Sequence, residues 1–434
     1  MRYYSTNGKA PLASLQEAVV KGLAPDKGLY MPEHIGQFPD PFFDRIGEKG
    51  LTEIAKEAAD LFFGEDIPKE ALHRIVEETL DFDIPLVKVE EGIYALELFH
   101  GPTFAFKDVG ARFMARMLSY FARERQQGEV SVLVATSGDT GSAVANGFLG
   151  VKGIRVFVLY PSGKVSAMQE AQFTTLGQNI TALEVDGTFD DCQALVKAAF
   201  MDSELNDRLH LTSANSINVA RFLPQSFYYY WAYAQLSNRS SPDQVVIAVP
   251  SGNLGNLTAG LFAKQTGLPI KRFIAANNRN DVFFQYLKTG EYHPAPSIQT
   301  IANAMDVGAP SNFYRILDLY GSSYASIQQV IDGFTYNDEA IKAAVREVYQ
   351  RTGYLLDPHG ACAYMALKEG LRQDETGVFL ATAHPAKFKE TVEACIDNSI
   401  EVPERLKAFM SREKRSLPLP NDLHELKKVL IARS

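Results

Sequence analysis

Apolar residues recur at helical spacing between positions 51 and 80, with Glu and Lys between them. These apolar positions are Ile54, Ala58, Leu61, Phe62, Leu72, Ile75, Val76 and Leu80. A spacing of three or four residues places them on one face of a helix, so the pattern predicts a helical section near the N-terminus. Pro85 follows this section and ends the helical pattern.

Beyond Pro85 the chain changes to short β-branched runs that alternate with amphipathic stretches. The runs typical of buried strands are 130–135, 154–159, 245–249, 273–276 and 378–381. The stretches typical of helices are 141–149, 190–202, 257–266, 337–352 and 361–370. This alternation favours a mostly parallel sheet with helices on both faces, because parallel neighbours need crossover connections. The sequence therefore predicts an α/β fold, in which ligands bind at the carboxyl ends of the strands.

The composition is that of an ordinary globular protein, with 434 residues of which 46% are hydrophobic and 22% are charged. This length exceeds the size that one core usually supports, so we expect two or three substructures. The net charge of −9 offers no basic footprint, and we therefore expect neither a nucleic-acid nor a membrane partner. An anionic ligand must then be held by donors that are placed locally.

The cysteines Cys192, Cys362 and Cys395 are scattered without CxxC or zinc-ligand spacing, so we expect a reducing, cytoplasmic location and no metal site. No apolar run reaches the length needed to span a bilayer. The motifs HExxH, GxSxG, GxxxxGK[ST] and GxGxxG do not occur. The metalloprotease, serine hydrolase, P-loop and dinucleotide-binding classes therefore lose their usual sequence support.

Two segments share the pattern Ser-Gly-Asp/Asn-x-Gly, each directly after a predicted strand. Residues 137–141 follow the strand at 130–135, and residues 251–255 follow the strand at 245–249. Each segment opens a predicted helix, so the repetition suggests two related halves that each present a loop at a strand end.

The later loop, 251–256, is the better candidate for an anion site. Its two glycines let the backbone approach a ligand closely, and the following helix turns its N–H groups and positive dipole end toward the loop. The side chains of Asn253 and Asn256 could add donors. A phosphate would suit this loop, although a plain strand-to-helix turn can carry the same glycine pattern.

The earlier loop, 136–141, differs by one charge. Asp139 would repel a phosphate dianion, yet helix-terminal N–H groups with the hydroxyls of Ser137 and Thr140 suit a carboxylate. Asp139 could then face an amine or a ring hydroxyl, so the loop suits an amino acid. Taken alone, a simple helix cap at Ser137 or Asp139 is the favoured alternative.

Lys107 stands among Phe99, Phe104 and Phe106, where loss of hydration would make its neutral amine available as a nucleophile and base. A lysine that extends to solvent, or one held charged by the neighbouring aspartate, is the alternative. Thr382 follows the strand at 378–381, and its hydroxyl could bond a heterocyclic nitrogen or simply the next turn. A lysine, a phosphate loop, a carboxylate loop and this hydroxyl together match pyridoxal 5′-phosphate with an amino acid substrate.

Four segments resemble the threonine synthase family, namely 100–108 (HGPTFAFKD), 136–143 (TSGDTGSA), 250–256 (PSGNLGN) and 381–388 (ATAHPAKF). The opening residues 3–6 and 22–33 resemble it too. The resemblance implies a fold type II pyridoxal phosphate enzyme with two open, mostly parallel sheets flanked by helices, in addition to the helical N-terminal section. It also implies conversion of O-phospho-L-homoserine and water to L-threonine and phosphate, in threonine biosynthesis.

The resemblance assigns roles to particular residues. Lys107 becomes the Schiff-base lysine and base for the Cα proton, Thr382 becomes the partner of the pyridine nitrogen, and Asp139 joins the cofactor site. The cofactor phosphate is assigned to Gly252, Asn253, Leu254, Gly255 and Asn256, with Leu254 standing where related sequences often carry Phe. The substrate carboxylate is assigned to Ser137, Gly138 and Thr140.

The substrate phosphate needs cations and donors at a fixed place. Candidates for it are Lys164, Arg112, Ser216, Asn218 and Arg221. Arg112 and Arg221 could equally brace helices. Two alternatives remain for the whole chain: another fold type II lyase, such as a dehydratase or β-replacement synthase, and a non-catalytic ligand-binding paralogue.

The fold implied by the resemblance favours three consecutive sections. Residues 1–90 form the helical N-terminal section, and residues 91–235 contain the lysine segment with a smaller, mobile lobe. Residues 236–434 form the larger part that binds the cofactor phosphate. Within it, residues 402–434 are basic and helical in pattern, which predicts a solvated terminal extension.

Overall fold

The computed structural model describes residues 1–125, 129–238 and 244–433. Its strands are β1 (Arg2–Ser5), β2 (Ala13–Ser14), β3 (Tyr30–Pro32), β4 (Leu86–Glu90), β5 (Ile93–Glu97), β6 (Val130–Ala135), β7 (Ile154–Pro161), β8 (Ile180–Asp186), β9 (His210–Ser213), β10 (Val245–Pro250), β11 (Arg272–Asn277), β12 (Ile331–Thr335), β13 (Thr376–Ala381) and β14 (Ser416–Pro420).

The helices of the described ranges are α1 (Leu15–Lys21), α2 (Pro41–Asp44), α3 (Leu51–Phe63), α4 (Lys69–Thr79), α5 (Lys107–Arg125), α6 (Asp139–Phe148), α7 (Ala167–Thr174), α8 (Phe189–Met201), α9 (Ser203–Arg208), α10 (Val219–Phe222), α11 (Ser226–Ser237), α12 (Gly255–Gln265), α13 (Val282–Thr289), α14 (Phe313–Leu319), α15 (Tyr324–Val330), α16 (Asp338–Thr352), α17 (Pro358–Gly370), α18 (Lys389–Ile396), α19 (Glu404–Met410) and α20 (Leu423–Ala432). Single 3₁₀ turns lie at Ile46–Glu48, Leu223–Gln225, Asn303–Met305 and Pro385–Phe388.

The chain folds into two compact units, each built from separate stretches. Unit 1 consists of Met1, Met31–Phe106 and Phe222–Glu401, and unit 2 consists of Arg2–Tyr30, Lys107–Arg221 and Val402–Ser434. The units therefore interleave along the chain, and the three consecutive sections named above stay a prediction.

Unit 1 is built on a six-stranded sheet in the order β12-β11-β10-β13-β5-β4. Its neighbours are parallel except for β4 and β5, which pair antiparallel. Every residue of β10 and β11 is buried, which explains why their sequences are continuous apolar runs and not alternating patterns. The helix α17 packs on the sheet and contributes Ala363 and Leu367 to the core.

Unit 2 is built on a five-stranded sheet in the order β14-β8-β7-β6-β9, in which all neighbours are parallel. Leu133, Phe157 and Leu183 of successive strands form its core with the apolar face of α8. The two open, mostly parallel sheets confirm the predicted fold class. The helical N-terminal section is confirmed as well, because α3 and α4 bury Ile54, Leu72 and other apolar positions of the 51–80 pattern.

The predicted solvated extension at the C-terminus is wrong. The strand β14 pairs in parallel with β8, and Leu419, Leu426 and Leu430 are buried in the core of unit 2. Pro418 and Pro420 conceal this strand in the sequence, because proline cannot donate to a ladder and is tolerated on an edge strand, where one side needs no partner. None of the helices in the described ranges is long and apolar enough to cross a membrane.

Candidate active site

The 251–256 loop joins β10 to α12 in unit 1. The Ser251 N–H donates to the carbonyl oxygen of Ala276 at 2.8 Å, so the loop begins as a continuation of the β10–β11 ladder. Leu254 then takes a left-handed conformation with φ of +61° and precedes the first residue of α12. A leucine rarely adopts this conformation, so the surrounding structure must hold it there.

Gly252 lets the loop lie against the segment around Ala304. A Cβ atom at position 252 would lie 2.9 Å from both the carbonyl oxygen of Ala304 and the Cα of Met305, which leaves no room for a side chain. Within the described ranges, the amides of Gly252, Leu254, Gly255 and Asn256 donate no hydrogen bond to the protein. Free N–H groups at a helix N-terminus form an anion site, and this arrangement fits the phosphate of pyridoxal 5′-phosphate.

The two asparagine side chains of this loop are engaged by the protein. Asn256 Nδ2 donates to the carbonyl oxygen of Pro250 at 2.8 Å, and Asn253 Oδ1 accepts the Ser311 N–H at 2.6 Å. The Tyr229 hydroxyl donates to the carbonyl oxygen of Asn256 at 2.6 Å. The asparagines therefore shape the loop, and the backbone N–H groups that lack a protein acceptor within the described ranges are the donors left for a ligand.

Thr382 follows β13, which lies beside β10 in the sheet of unit 1. The carboxyl ends of these two parallel strands are adjacent, so Thr382 and the 251–256 loop share one edge of the sheet. Thr382 is buried, and its hydroxyl bonds to no group of the described ranges. The next turn thus does not use this hydroxyl, which leaves it available for a heterocyclic nitrogen.

The lysine segment runs beside Thr382. The Phe106 N–H donates to the carbonyl oxygen of Thr382 at 2.8 Å, and the His384 N–H donates to that of Phe104 at 3.1 Å. Lys107 is the next residue after Phe106; it begins α5, is half-buried and belongs to unit 2. These bonds fix the backbone of the residues that directly precede Lys107.

The aromatic residues before Lys107 create an apolar environment in unit 1. Phe99 and Phe104 pack edge-on against the ring of His384, with ring centroids 5.3 and 5.7 Å away. Burial lowers the pKa of His384 to about 4. The imidazole is therefore neutral at pH 7, as expected where water is scarce.

The 136–141 loop of unit 2 joins β6 to α6. The hydroxyl oxygen of Thr136 accepts the N–H groups of Gly138 at 2.9 Å and Gly141 at 2.7 Å. Gly138, with φ of +144°, is the N-cap residue of α6 and has no side chain to cap the helix, so the Thr136 hydroxyl bonds the first turn in its place. Neither Ser137 nor Asp139 occupies the N-cap position of α6, and Thr136 supplies the bracing oxygen from the strand end.

Asp139 is buried at the start of α6 and accepts a hydrogen bond from Gln169 Nε2 at 3.0 Å. Gln169 also limits the space at Gly138, where a Cβ atom would lie 2.5 to 2.6 Å from its side-chain amide. Ser137 and Thr140 are half-buried and flank this contact in the sequence. The loop thus offers helix-terminal N–H groups beside two hydroxyls.

The strands on either side of β6 carry two more of the predicted segments. Lys164 is exposed on the turn after β7, and Ser216 is half-buried after β9. Asn215 Nδ2 donates to the carbonyl oxygen of Ala135 at 3.3 Å and so joins the segment after β9 to the end of β6. Unit 2 therefore brings these segments and the 136–141 loop to one sheet edge.

The remaining candidates are engaged within unit 2. Asn218 is fully buried; its Nδ2 donates to the carbonyl oxygen of Val19 at 2.8 Å and its Oδ1 accepts the Ala220 N–H at 3.0 Å. Arg221 is buried and bonds the carbonyl oxygen of Ala214. Arg112 is buried in α5. Asn218 therefore braces the fold, whereas the roles of the two arginines stay predictions.

Residues that shape the two loops carry no signal in the local sequence, among them Gln169, Asn312 and His359. His359 Nε2 accepts the Ala304 N–H at 3.1 Å, and its Nδ1 lies 2.6 Å from Asp357. His359 thereby supports the segment around Ala304, against which Gly252 packs. These polar residues are far from the glycine patterns in sequence, and no local spacing identifies them.

Residues 2–430 are covered by three matching family models. Residues 80–383 match the model described as pyridoxal-phosphate dependent enzyme. Residues 2–80 match threonine synthase N terminus, and residues 360–430 match threonine synthase, C-terminal.

Individual proteins match over their full length. The threonine synthase of Serratia marcescens is 44% identical over 431 residues, 99% of each chain. The crystal structure of threonine synthase from Escherichia coli superimposes with a TM-score of 0.94 at 42% identity and covers 100% of both chains. The crystal structure of PLP-bound threonine synthase from Brucella melitensis superimposes with a TM-score of 0.93 at 35% identity, and the match covers 100% of this chain and 99% of the other. With these matches and the two strand-end loops in place, the chain belongs to the threonine synthase family of pyridoxal-phosphate dependent enzymes.

Proposed function

We propose that this protein is a threonine synthase that converts O-phospho-L-homoserine and water to L-threonine and phosphate. The observation that carries the proposal is the 251–256 loop, where Gly252 leaves no room for a side chain and backbone N–H groups have no protein acceptor in the described ranges. Full-length similarity to threonine synthases at 40–44% identity supports the same reaction.

Three groups of this chain would hold pyridoxal 5′-phosphate. The amides of the 251–256 loop would bind its phosphate, the Thr382 hydroxyl would bond its ring nitrogen, and the Lys107 amine would hold its aldehyde carbon until the substrate amine displaces the lysine. When bound, the cofactor accepts electron density from the substrate Cα. A neutral hydroxyl at Thr382 stabilises a charged ring nitrogen less than a carboxylate would, so electron uptake is tempered and transamination as a side reaction is limited.

The substrate would lie at the sheet edge of unit 2. Ser137 and Thr140 bind its carboxylate at the N-terminus of α6, Gly138 shapes the loop because Thr136 holds its N–H, and Asp139 faces a ring hydroxyl or an amine. Lys164 and Ser216, on the strands beside β6, bind the phosphate together with Arg112 and Arg221. Asn218 is left out of this set because the backbone of unit 2 engages both atoms of its side-chain amide.

Lys107 moves the protons in this reaction. Its amine removes the proton from the substrate Cα, and a second proton then leaves Cβ as phosphate departs from Cγ. Cγ takes up a proton and becomes the methyl group, water adds at Cβ, and Cα regains a proton before threonine is released. The cationic groups near the substrate phosphate favour the departing dianion.

The proposal is tested by phosphate release from O-phospho-L-homoserine, with L-serine as the comparison substrate. We expect phosphate and threonine in equal amounts, a visible absorption band, and no turnover of serine. Turnover of serine without phosphate release would instead indicate a dehydratase or β-replacement synthase. A protein that stays colourless with excess cofactor would indicate a non-catalytic paralogue.

A further inference from the structure

Arg315 is a fully buried arginine behind the 251–256 loop. It lies on α14 in unit 1, and its guanidinium carbon is 4.2 Å from the ring centroid of Phe222. Its Nη1 donates to Asn312 Oδ1 at 2.7 Å. A charged group at such depth is costly unless hydrogen bonds and ring contacts compensate it, so the bond to Asn312 is part of what holds the guanidinium in place.

Asn312, which is also fully buried, carries the contact from Arg315 to the loop. Its Nδ2 donates to the carbonyl oxygen of Asn253 at 3.0 Å. The preceding residue, Ser311, donates its N–H to Asn253 Oδ1 at 2.6 Å. Both oxygens of Asn253 therefore face the segment 311–312, and the guanidinium strengthens the Asn312 amide as a donor by polarising it.

These bonds determine where the Leu254 N–H points. The carbonyl of Asn253 and the N–H of Leu254 belong to one planar trans peptide group, in which the two bonds point in opposite directions. Holding the carbonyl on Asn312 turns the Leu254 N–H to the other side of the loop and keeps the carbonyl oxygen away from an anion. The same bonds hold Leu254 in its left-handed conformation, with φ of +61°.

We propose that Asn312, supported by Arg315, is a positioning residue that orients the Asn253–Leu254 peptide so that its N–H donates to the cofactor phosphate. This inference rests on the proposed function, because it takes the 251–256 loop as the cofactor-phosphate site. Nothing in the glycine pattern indicates the pair, which lies nearly sixty residues farther along the chain.

The test compares pyridoxal 5′-phosphate with pyridoxal, which has the same ring and aldehyde and lacks the phosphate. The full chain, freed of cofactor, is titrated with each compound, and the ratio of the two dissociation constants reports the contribution of the phosphate. Asn312→Ala should weaken binding of pyridoxal 5′-phosphate about ten- to a hundredfold and that of pyridoxal less than threefold. Arg315→Met should also weaken binding of pyridoxal 5′-phosphate more than binding of pyridoxal, and the preference for the phosphate should fall by about tenfold.

Asn280→Ala is the matched control. Asn280 is a buried asparagine of the same unit whose side chain bonds Asn278, Ile298 and Asp306 and forms no hydrogen bond with the 251–256 loop in the described ranges, so its loss should leave the ratio unchanged. If Asn312→Ala does not fold, Asn312→Asp and Asn312→Ser replace it. Failure of all three to fold would contradict a role confined to positioning one peptide.

The outcomes separate this inference from the proposed function. A wild-type chain that binds both compounds equally would overturn the assignment of the loop to phosphate, and the role of Asn312 with it. A wild-type preference for the phosphate that survives in both Asn312→Ala and Arg315→Met would overturn the positioning role alone. Equal weakening of both compounds would also overturn it, since that result indicates general damage to the fold.

Discussion

The 251–256 loop of unit 1 and the 136–141 loop of unit 2 share a sequence pattern and a position after a parallel strand, yet they are held differently. Thr136, at the strand end itself, braces the earlier loop through the N–H groups of Gly138 and Gly141. A distant segment braces the later loop through Ser311 and Asn312. The common pattern places a helix N-terminus directly after a strand. The bracing residues determine which backbone N–H and carbonyl groups are engaged by the protein and which are left for a ligand.

The third position of the pattern differs in charge between the two loops. Asp139 is a buried carboxylate that accepts a bond from Gln169 at 3.0 Å, whereas Asn253 is neutral and directs its oxygens to the protein. A negative side chain excludes a phosphate dianion and tolerates an amine. The comparison therefore teaches that one loop design can present either a neutral or a negative side chain at a strand end, which under the proposed function suits a cofactor phosphate in one loop and an amino acid in the other.

Lys107→Ala should have the largest effect and leave both loops intact. Without the amine, we expect phosphate release to fall about a thousandfold or more, because both the bond to the cofactor and the base are lost. The rate is measured with saturating substrate and cofactor. Lys152→Ala removes an exposed lysine of the same unit and should keep wild-type turnover. Comparable turnover in Lys107→Ala would place the chemistry elsewhere.

Exchanging the third-position residues tests the comparison directly. Asn253→Asp adds a negative charge beside the cofactor phosphate, so the dissociation constant of pyridoxal 5′-phosphate should rise about a hundredfold. Asp139→Asn removes a charge at the matching position and should change that constant less than tenfold. Both are measured by absorbance titration. Equal effects of the two substitutions would remove the distinction between the loops.

The pH dependence of stability tests whether the neighbourhood of Thr382 excludes water. The pKa of His384 is about 4 in the folded chain and ordinarily 6.5. As the pH falls below 6.5 the unfolded chain binds the proton first, so stability present above pH 6.5 is lost toward pH 4. We expect a loss of about 2 kcal/mol between pH 7 and pH 5, measured by urea unfolding.

His384→Gln should abolish this part of the pH dependence, while His293→Gln, which replaces an exposed histidine, should keep it. A wild-type chain and a His384→Gln chain with the same pH dependence would show that water reaches the ring.

Thr136→Val should have the smallest effect of these substitutions, and the effect should be limited to the 136–141 loop. Loss of the hydroxyl leaves two N–H groups without their acceptor, so the free energy of unfolding should fall by about 1–2 kcal/mol and KM for the substrate should rise about tenfold. Thr136→Ser keeps the oxygen and is the control. A change in cofactor affinity, or a serine variant as weak as the valine variant, would contradict the separate roles of the loops.

Local patterns predicted the strands that carry the site and missed what braces them. The strand β6 has the predicted bounds, Val130–Ala135, because a buried parallel strand is a short apolar run. The strand β8 was not predicted, and β14 was concealed by its prolines. Thr382 was predicted from its place after a strand, whereas Asn312 and Arg315 were not, because their partner Asn253 is distant in sequence and only the fold brings them together.

The most direct test of the central claim is borohydride reduction of the holoenzyme followed by peptide mapping. Reduction fixes the cofactor to the amine that holds it, and we expect the added mass on the peptide that contains Lys107, with loss of the visible band. Attachment at another lysine, or no attachment in a protein saturated with pyridoxal 5′-phosphate, would contradict the account.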